Sequence, residues 1–231
     1  NSQQEAVAAA FGELDIDYTS IVTVVTVGDG FPADGVLEPG DQILTVDGDP
    51  VDGVSELSAA FADSGAGVPV DLGILREGAE QTVEITPVAA TEGPNAIVVG
   101  IQPGAVYEFP FEVTVNLGNV GGPSAGMMLA LGVYDKLTPG ALTGGEHFAG
   151  TGTITAGGDV GPIGGIRQKM YGAETAGAEW FLAPVSNCDE VVGHIPAGLE
   201  VFAVSTMDEA LETVETIASG GDTSSLARCD A

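Results

Sequence analysis

The stretch GGPSAGMMLALGVYDKL, residues 121–137, joins a glycine-rich turn to a run that is apolar on nearly every side. A helix with apolar residues all round is a buried one, and Ser124 falls just ahead of it. At that positive end of a helix, main-chain N–H groups lack helical partners and can stabilise a developing oxyanion. A serine so placed is either a nucleophile or a small residue in a tight turn. G-P-S-A-G satisfies the loose hydrolase pattern G-x-S-x-G, but in a chain with 35 glycines in 231 residues that pattern arises readily by chance. The nucleophile reading therefore needs a base elsewhere.

The chain has only two lysines, Lys136 and Lys169. The second lies in GIRQKMYGAETAGAEW, residues 165–180, whose pattern predicts a helix. With residues set at about 100° intervals, Ile166, Met170, Ala173, Ala176, Gly177 and Trp180 share one arc, and Lys169 falls inside it. A lysine on a buried face either snorkels to water or accepts a desolvated site. In the second case burial disfavours the charged form, and a neutral amine can take the proton of a serine hydroxyl. The pattern alone leaves both outcomes open.

The bulk composition bounds the rest. The length suits two domains, each with its own core. A hydrophobic content of 44% excludes a disordered chain, and runs such as AIVVGI at 96–101 are too short to span a bilayer. With 34 Asp plus Glu against 5 Lys plus Arg, the net charge is -29, a field that repels nucleic acid; salt would screen its self-repulsion. No clustered Cys/His set suggests a metal site. Cys188 and Cys229 are either free thiols or one disulfide pinning the C-terminal tail, and the disulfide is the expectation. The chain begins at Asn1 rather than Met, as expected of a processed product.

Residues 2–14 read as a short helix, with Val7, Ala10, Phe11 and Leu14 on one face, packed as an appendage on the β-rich region next to it in the chain. In that region short β-rich runs alternate with Gly, Pro and Asp turns: 21–27, 42–51, 68–78 and 81–88. A helix is predicted at 54–65, with Ser55 as N-cap. The acidic DGDPVDG at 47–53 lacks the spacing of a calcium loop and reads as a hairpin turn. Within this region FPADGVLEPGDQILTVDGDPV, residues 31–51, resembles the core of a bacterial PDZ domain. The resemblance implies a small barrel-like sheet that accepts an extended peptide as an extra strand, with the accepting strand at Ile21, Val22, Thr23 and Val24. TEGP at 91–94 reads as a linker, followed by apolar strands at 96–101 and 111–117.

The serine turn, the strand GTGTIT, the turn GDVGPIGGI and the lysine helix, taken in order across residues 95–217, resemble the proteolytic domain of Lon proteases. The resemblance implies a Ser124 nucleophile and a Lys169 general base, with Thr151 orienting the lysine amine and Gly122, Pro123 and Ala125 shaping the turn. Two departures stand out: Gly121 occupies a usual Asp and Thr153 a usual Glu, which puts the gating of the active-site loop in question. Neither lysine follows a glycine, so no Walker A loop accompanies the domain, and ATP-independent cleavage of unfolded or PDZ-presented protein is expected, without a cofactor. Relatives of this type form rings, which puts a homo-oligomer among the expectations. The resemblance to PDZ-carrying Lon-like bacterial proteases further implies an extracytoplasmic location with a membrane anchor outside these residues.

The expected fold is thus α+β, in four segments: a helical extension (1–17), a PDZ-like domain (18–89), a Lon-type peptidase domain (90–220) and a tail (221–231). Two rivals remain at this point. One is a catalytically silent PDZ scaffold; the other is an α/β-hydrolase-type esterase using Ser124, Asp159 and His194, which occur in that fold's chain order. His147 reads as structural.

Overall fold

The computed structural model describes residues 2–90, 97–114 and 122–229, and the chain divides into two compact units, 18–110 and 1–17 with 111–231. The first helix, α1 (Ser2–Glu13), belongs to the second unit.

The 18–110 unit contains β1 (Thr19–Val27), β2 (Gln42–Val46), β3 (Asp49–Pro50), α2 (Val54–Ser64), β4 (Val70–Arg76), β5 (Ala79–Ile85), β6 (Val88–Ala89), β7 (Ile97–Val98) and β8 (Ile101–Glu108). One antiparallel sheet runs β5-β4-β2-β1-β8, with β3 folded back on β2. Alternation in β1 and β4 turns Val22, Val24, Val70, Leu72 and Ile74 into a core with Leu57 and Phe61 of α2, as period-2 patterning requires. Gly53, not Ser55, caps α2.

The compact unit runs past the expected boundary at 89, to Pro110. β8 pairs with β1 from Thr19↔Glu108 to Val27↔Ile101, so residues 101–108 complete this sheet, while β7 pairs with β6 in a small sheet of its own. Of the strand expected at 111–117, residues 111–114 are not in a strand and the remainder lies outside the described residues.

Within the stretch 31–51, the L-x-x-G-D motif of Leu37 to Asp41 has its aspartate held by a distant arginine. Asp41 is 1% exposed, and Arg76 grips it at both oxygens, Nε to Oδ1 at 2.8 Å and Nη2 to Oδ2 at 2.6 Å. The same guanidinium donates to Val36 O at 2.9 Å, and Glu38 N–H donates to Asp41 Oδ2. These donors, the guanidinium foremost, hold the Asp41 carboxyl below the usual range against the opposing effect of burial.

The second unit contains α1, α3 (Gly126–Leu137), β9 (Phe148–Gly150), β10 (Thr153–Ile154), β11 (Val160–Gly161), α4 (Ile166–Thr175), β12 (Trp180–Pro184), α5 (Cys188–Val191), β13 (Glu200–Val204) and α6 (Met207–Ala218). β12 lies between β13 and β9, parallel to both. WFLAP and EVFAV are near-continuous apolar runs because such strands are covered on both faces. Helix α6 starts at a capped end. The Thr206 hydroxyl accepts from Glu209 N–H at 3.2 Å, while the Glu209 carboxylate takes the N–H and hydroxyl of Ser205.

Two further segment assignments change. Helix α1 is no appendage on the neighbouring sheet: Ala6 and Ala9 are in one core with Met127, Ala130, Met207 and Val214, and it packs on α3, β10 and α6. Nor are residues 221–229 a loose tail. Ala203 N–H donates to Ala227 O, Arg228 pairs with Glu200 at 2.8 Å and covers the Phe202 ring, and Cys229 is bonded to Cys188.

Where α1 ends, Glu13 shares a hydrogen bond with Asp208 at the start of α6. Burial, then that bond and the Asp208 charge, push the Glu13 carboxyl up to about 7 from 4.5. The folded state therefore holds this proton more tightly than the unfolded chain. The stabilisation is complete below about 4.5 and is lost as pH rises through about 7. Unfolding midpoints measured from pH 5 to 8 should fall with rising pH, and Glu13→Gln should flatten that part of the curve; an unchanged slope in the variant rules this pair out as its source.

Candidate active site

Ser124 occupies a single 3-10 turn, Pro123–Ala125, one residue ahead of the Ala125 N-cap of α3. Pro123 suits the first position of such a turn because its N–H would have no helical partner. Gly122, which precedes it, has φ 86°, a backbone conformation that favours glycine. Gly121 lies outside the described residues.

The turn is held by its main chain. Ser124 O accepts two hydrogen bonds, from the Thr151 hydroxyl at 2.8 Å and from Gly152 N–H at 3.0 Å. Met127 N–H donates in return to Gly152 O at 3.1 Å. Thr151 is 1% exposed, and its own N–H donates to Leu182 O of β12 at 3.1 Å. The resemblance implies that its hydroxyl orients the lysine amine; the hydrogen bond it donates goes to the main chain of the Ser124 turn. The glycines on either side are set by close approach. A Cβ on Gly126 would meet Ile154 N and Cγ2 at 3.1 Å, and one on Gly152 would meet Val160 Cγ1 at 2.9 Å.

Lys169 stands in the first turn of α4, where its N–H donates to Gly165 O at 3.2 Å. Ile166, Met170 and Ala173 are buried, as the apolar arc predicts. The helix stops at Thr175, however, and Gly177 turns the chain at φ 84°, so Trp180 belongs to β12 and not to the arc. Lys169 is half-buried, and its Nζ lies 3.2 Å from Ser124 Oγ. That contact joins side chains 45 residues apart.

The rival Ser/Asp/His set is not assembled, since His194 and Asp159 bond elsewhere. His194 Nδ1 lies 2.9 Å from Val192 O, and Asp159 is engaged with Thr155. His147 Nδ1 lies 3.3 Å from Gly177 O. Among the described residues no group of His, Cys, Asp and Glu could hold a metal ion. Cys188 and Cys229 form a disulfide.

In the other unit, the strand expected to accept a peptide is an inner one. Ile21, Val22, Thr23 and Val24 belong to β1, which has β2 on one side and β8 on the other, so its hydrogen-bonding edges are occupied. The outer position is taken by β8, and Phe31, Leu57, Ser58, Phe61 and Ile101 line a groove between β8 and α2. The local alternation of β1 could not reveal this, because the pairing that covers it comes from residues about 80 positions away.

Two families match successive parts of the chain. Residues 96–216, more than half of the chain, match the Lon protease (S16) C-terminal proteolytic domain, and residues 10–86 match the PDZ domain. The chain belongs to the Lon proteolytic-domain family and carries a PDZ domain ahead of that domain. It is 34% identical over 119 residues to Lon protease 1 of Bacillus subtilis, covering 49% of this chain and 15% of that protein. It is 43% identical over 93 residues to Lon protease 2 of Herpetosiphon aurantiacus, covering 39% and 11%. The matches thus span only a small part of these relatives' length. The PDZ domain of an SdrC-like protein from Listeria monocytogenes aligns at 24% identity over 36% of this chain and 85% of that one, with a TM-score of 0.33. The two rival readings, scaffold and α/β-hydrolase, are not favoured by these matches.

The packing at Gly152 can be tested directly. Gly152→Ala should cost about 1–3 kcal/mol, the usual penalty of overpacking, and lower the urea midpoint without changing its slope. A variant as stable as the parent would rule out the close approach.

Proposed function

We propose that this chain is an ATP-independent serine endopeptidase in which Ser124 is the nucleophile and Lys169 the general base. The observation that carries the reading is the 3.2 Å separation of Lys169 Nζ and Ser124 Oγ at the start of α3, a helix buried along one face instead of all round. Neutral Lys169 takes the hydroxyl proton as Ser124 Oγ bonds to the scissile carbonyl carbon. The Gly126 and Met127 N–H groups are already spent on Pro123 O and Gly152 O, so the oxyanion falls to the N–H groups of Ser124 and Ala125. Collapse breaks the C–N bond, and the lysine ammonium returns the proton to the leaving amine. Water, activated by the same amine, then cleaves the acyl ester and frees Ser124.

Substrates on this reading are unfolded chains, or chains presented by the PDZ domain. The Cys188–Cys229 disulfide supports an extracytoplasmic location, since such bonds persist in oxidising compartments.

Ser124→Ala should abolish both peptide hydrolysis and labelling by a fluorophosphonate. Lys169→Ala should lower the rate about 10²–10⁴-fold, while His194→Ala leaves it intact. Full activity in Lys169→Ala, or its loss in His194→Ala, would displace the lysine from this role.

Peptide presentation would use the outer edge of β8, and that edge has a gap. Val24 N–H donates to Asp41 O and Val24 O accepts from Gly40 N–H, so the polar groups of Val24 face away from β8. Its cross-strand partner is Pro103. Alternation then turns the Pro103 nitrogen and carbonyl outward as well, placing a residue without an N–H on the edge that a peptide would join. Pro103→Ala should restore one donor and tighten peptide binding several-fold, the equivalent of about 0.5–1.5 kcal/mol per hydrogen bond. Unchanged affinity in a peptide titration would place the ligand elsewhere.

A further inference from the structure

The turn that delivers Lys169 has little to define it locally. Residues 161–165, GPIGG, contain three glycines. A Cβ on Gly164 would touch nothing within 4 Å, and Gly165 has φ 73°. Such a segment has wide conformational freedom, yet α4 begins immediately after it and Lys169 stands within one turn. Something outside the turn must set where the helix starts.

That contact is made by Asn187. Its side chain is 3% exposed and meets the Ile163 peptide at two points: Oδ1 accepts from Ile163 N–H at 2.9 Å and Nδ2 donates to Ile163 O at 2.9 Å. The second Nδ2 hydrogen reaches Glu190 Oε1 at 3.1 Å. The amide thus behaves like a residue of a facing strand, exchanging both hydrogen bonds with one partner. Only Asn, with a donor and an acceptor on one short planar group, makes this pair here.

Asn187 closes the 3-10 turn Val185–Asn187 that directly follows β12. The same strand holds Thr151 through Leu182 O, and Thr151 with Gly152 holds the carbonyl of Ser124. Both reacting groups are therefore referred to β12: the serine from its middle through Thr151, the lysine from its end through Asn187.

We infer that Asn187 is a positioning residue for catalysis, setting the reach of Lys169 to Ser124 by clamping the Ile163 peptide. The inference rests on the proposed roles of Ser124 and Lys169. A displacement of about 1 Å at a reacting group can cost 10²-fold in rate.

The test compares wild type with Asn187→Ser, which keeps a small polar group, and Asn187→Leu, which removes both bonds. Crystal structures of wild type and Asn187→Ser should show the Nζ–Oγ separation opening beyond hydrogen-bond reach in the variant. This readout does not depend on activity, so an unchanged separation overturns the inference even if the catalytic reading fails. With a peptide substrate, kcat per folded molecule should fall about 10²-fold with KM little changed. In a Lys169→Ala background the same substitutions should have no further effect. Losses that multiply with Lys169→Ala, or a variant whose folded fraction retains the wild-type kcat, would reduce Asn187 to a structural role. Absence of hydrolysis in wild type would instead reject the catalytic reading while leaving the distance measurement decisive.

Discussion

The two hydrogen bonds accepted by the Ser124 carbonyl are the constraint around which the proteolytic unit is arranged. They come from Thr151 and Gly152, which continue from the end of β9 beside the central strand β12. A carbonyl that accepts two hydrogen bonds leaves the turn little freedom. The side chain is thereby fixed from behind, through its own backbone, and Oγ is left to face Lys169. The glycines at 126 and 152 answer to the same crowding: at 126 the main chain of Gly152 and Ile154 leaves no room for a side chain, and at 152 the Val160 side chain does the same.

The acidic composition gives the few basic residues unusual structural weight. Of the five, Arg76 neutralises the buried Asp41, Arg167 donates to Glu190 O, Arg228 pairs with Glu200 while covering Phe202, and Lys169 reaches Ser124. Asp41 and Arg76 illustrate the energetics. Losing one partner would strand a buried charge, a cost of about 3–5 kcal/mol in such pairs, whereas an exposed ion pair contributes about 0–1 kcal/mol. The conspicuous surface charge thus says less about the fold than these few contacts do.

The two units differ in how their functional surfaces are built. In the proteolytic unit, residues from separate elements converge through main-chain ties, so the site inherits the rigidity of the parallel sheet. In the PDZ unit the surface proposed to take a peptide is a sheet edge, and its character depends on which strand lies outermost and on which way each peptide group points. Pro103 has meaning only in that setting: facing β1 it would break a ladder, whereas facing outward it thins the edge offered to a partner.

Much of this was legible along the chain. The apolar run after Ser124, the apolar positions of α4, the L-x-x-G-D motif and the order of the two domains can be read from residue types at short spacings, because helical and strand periodicities are local properties. The same periodicity misled where tertiary structure intervened, carrying the arc of α4 on to Trp180; the linker reading at TEGP set β8 apart from the sheet it completes, and the PDZ resemblance put the accepting edge on β1, an inner strand. Whether Lys169 snorkels or faces a serine, whether α1 is an appendage or core, and why residue 187 is an asparagine were decided only when distant segments met. Sequence alone specified which groups could do the chemistry. Tertiary structure decided which of them come within 3.2 Å, because strand neighbours and helix seats are chosen by burial and register over separations that no local pattern records.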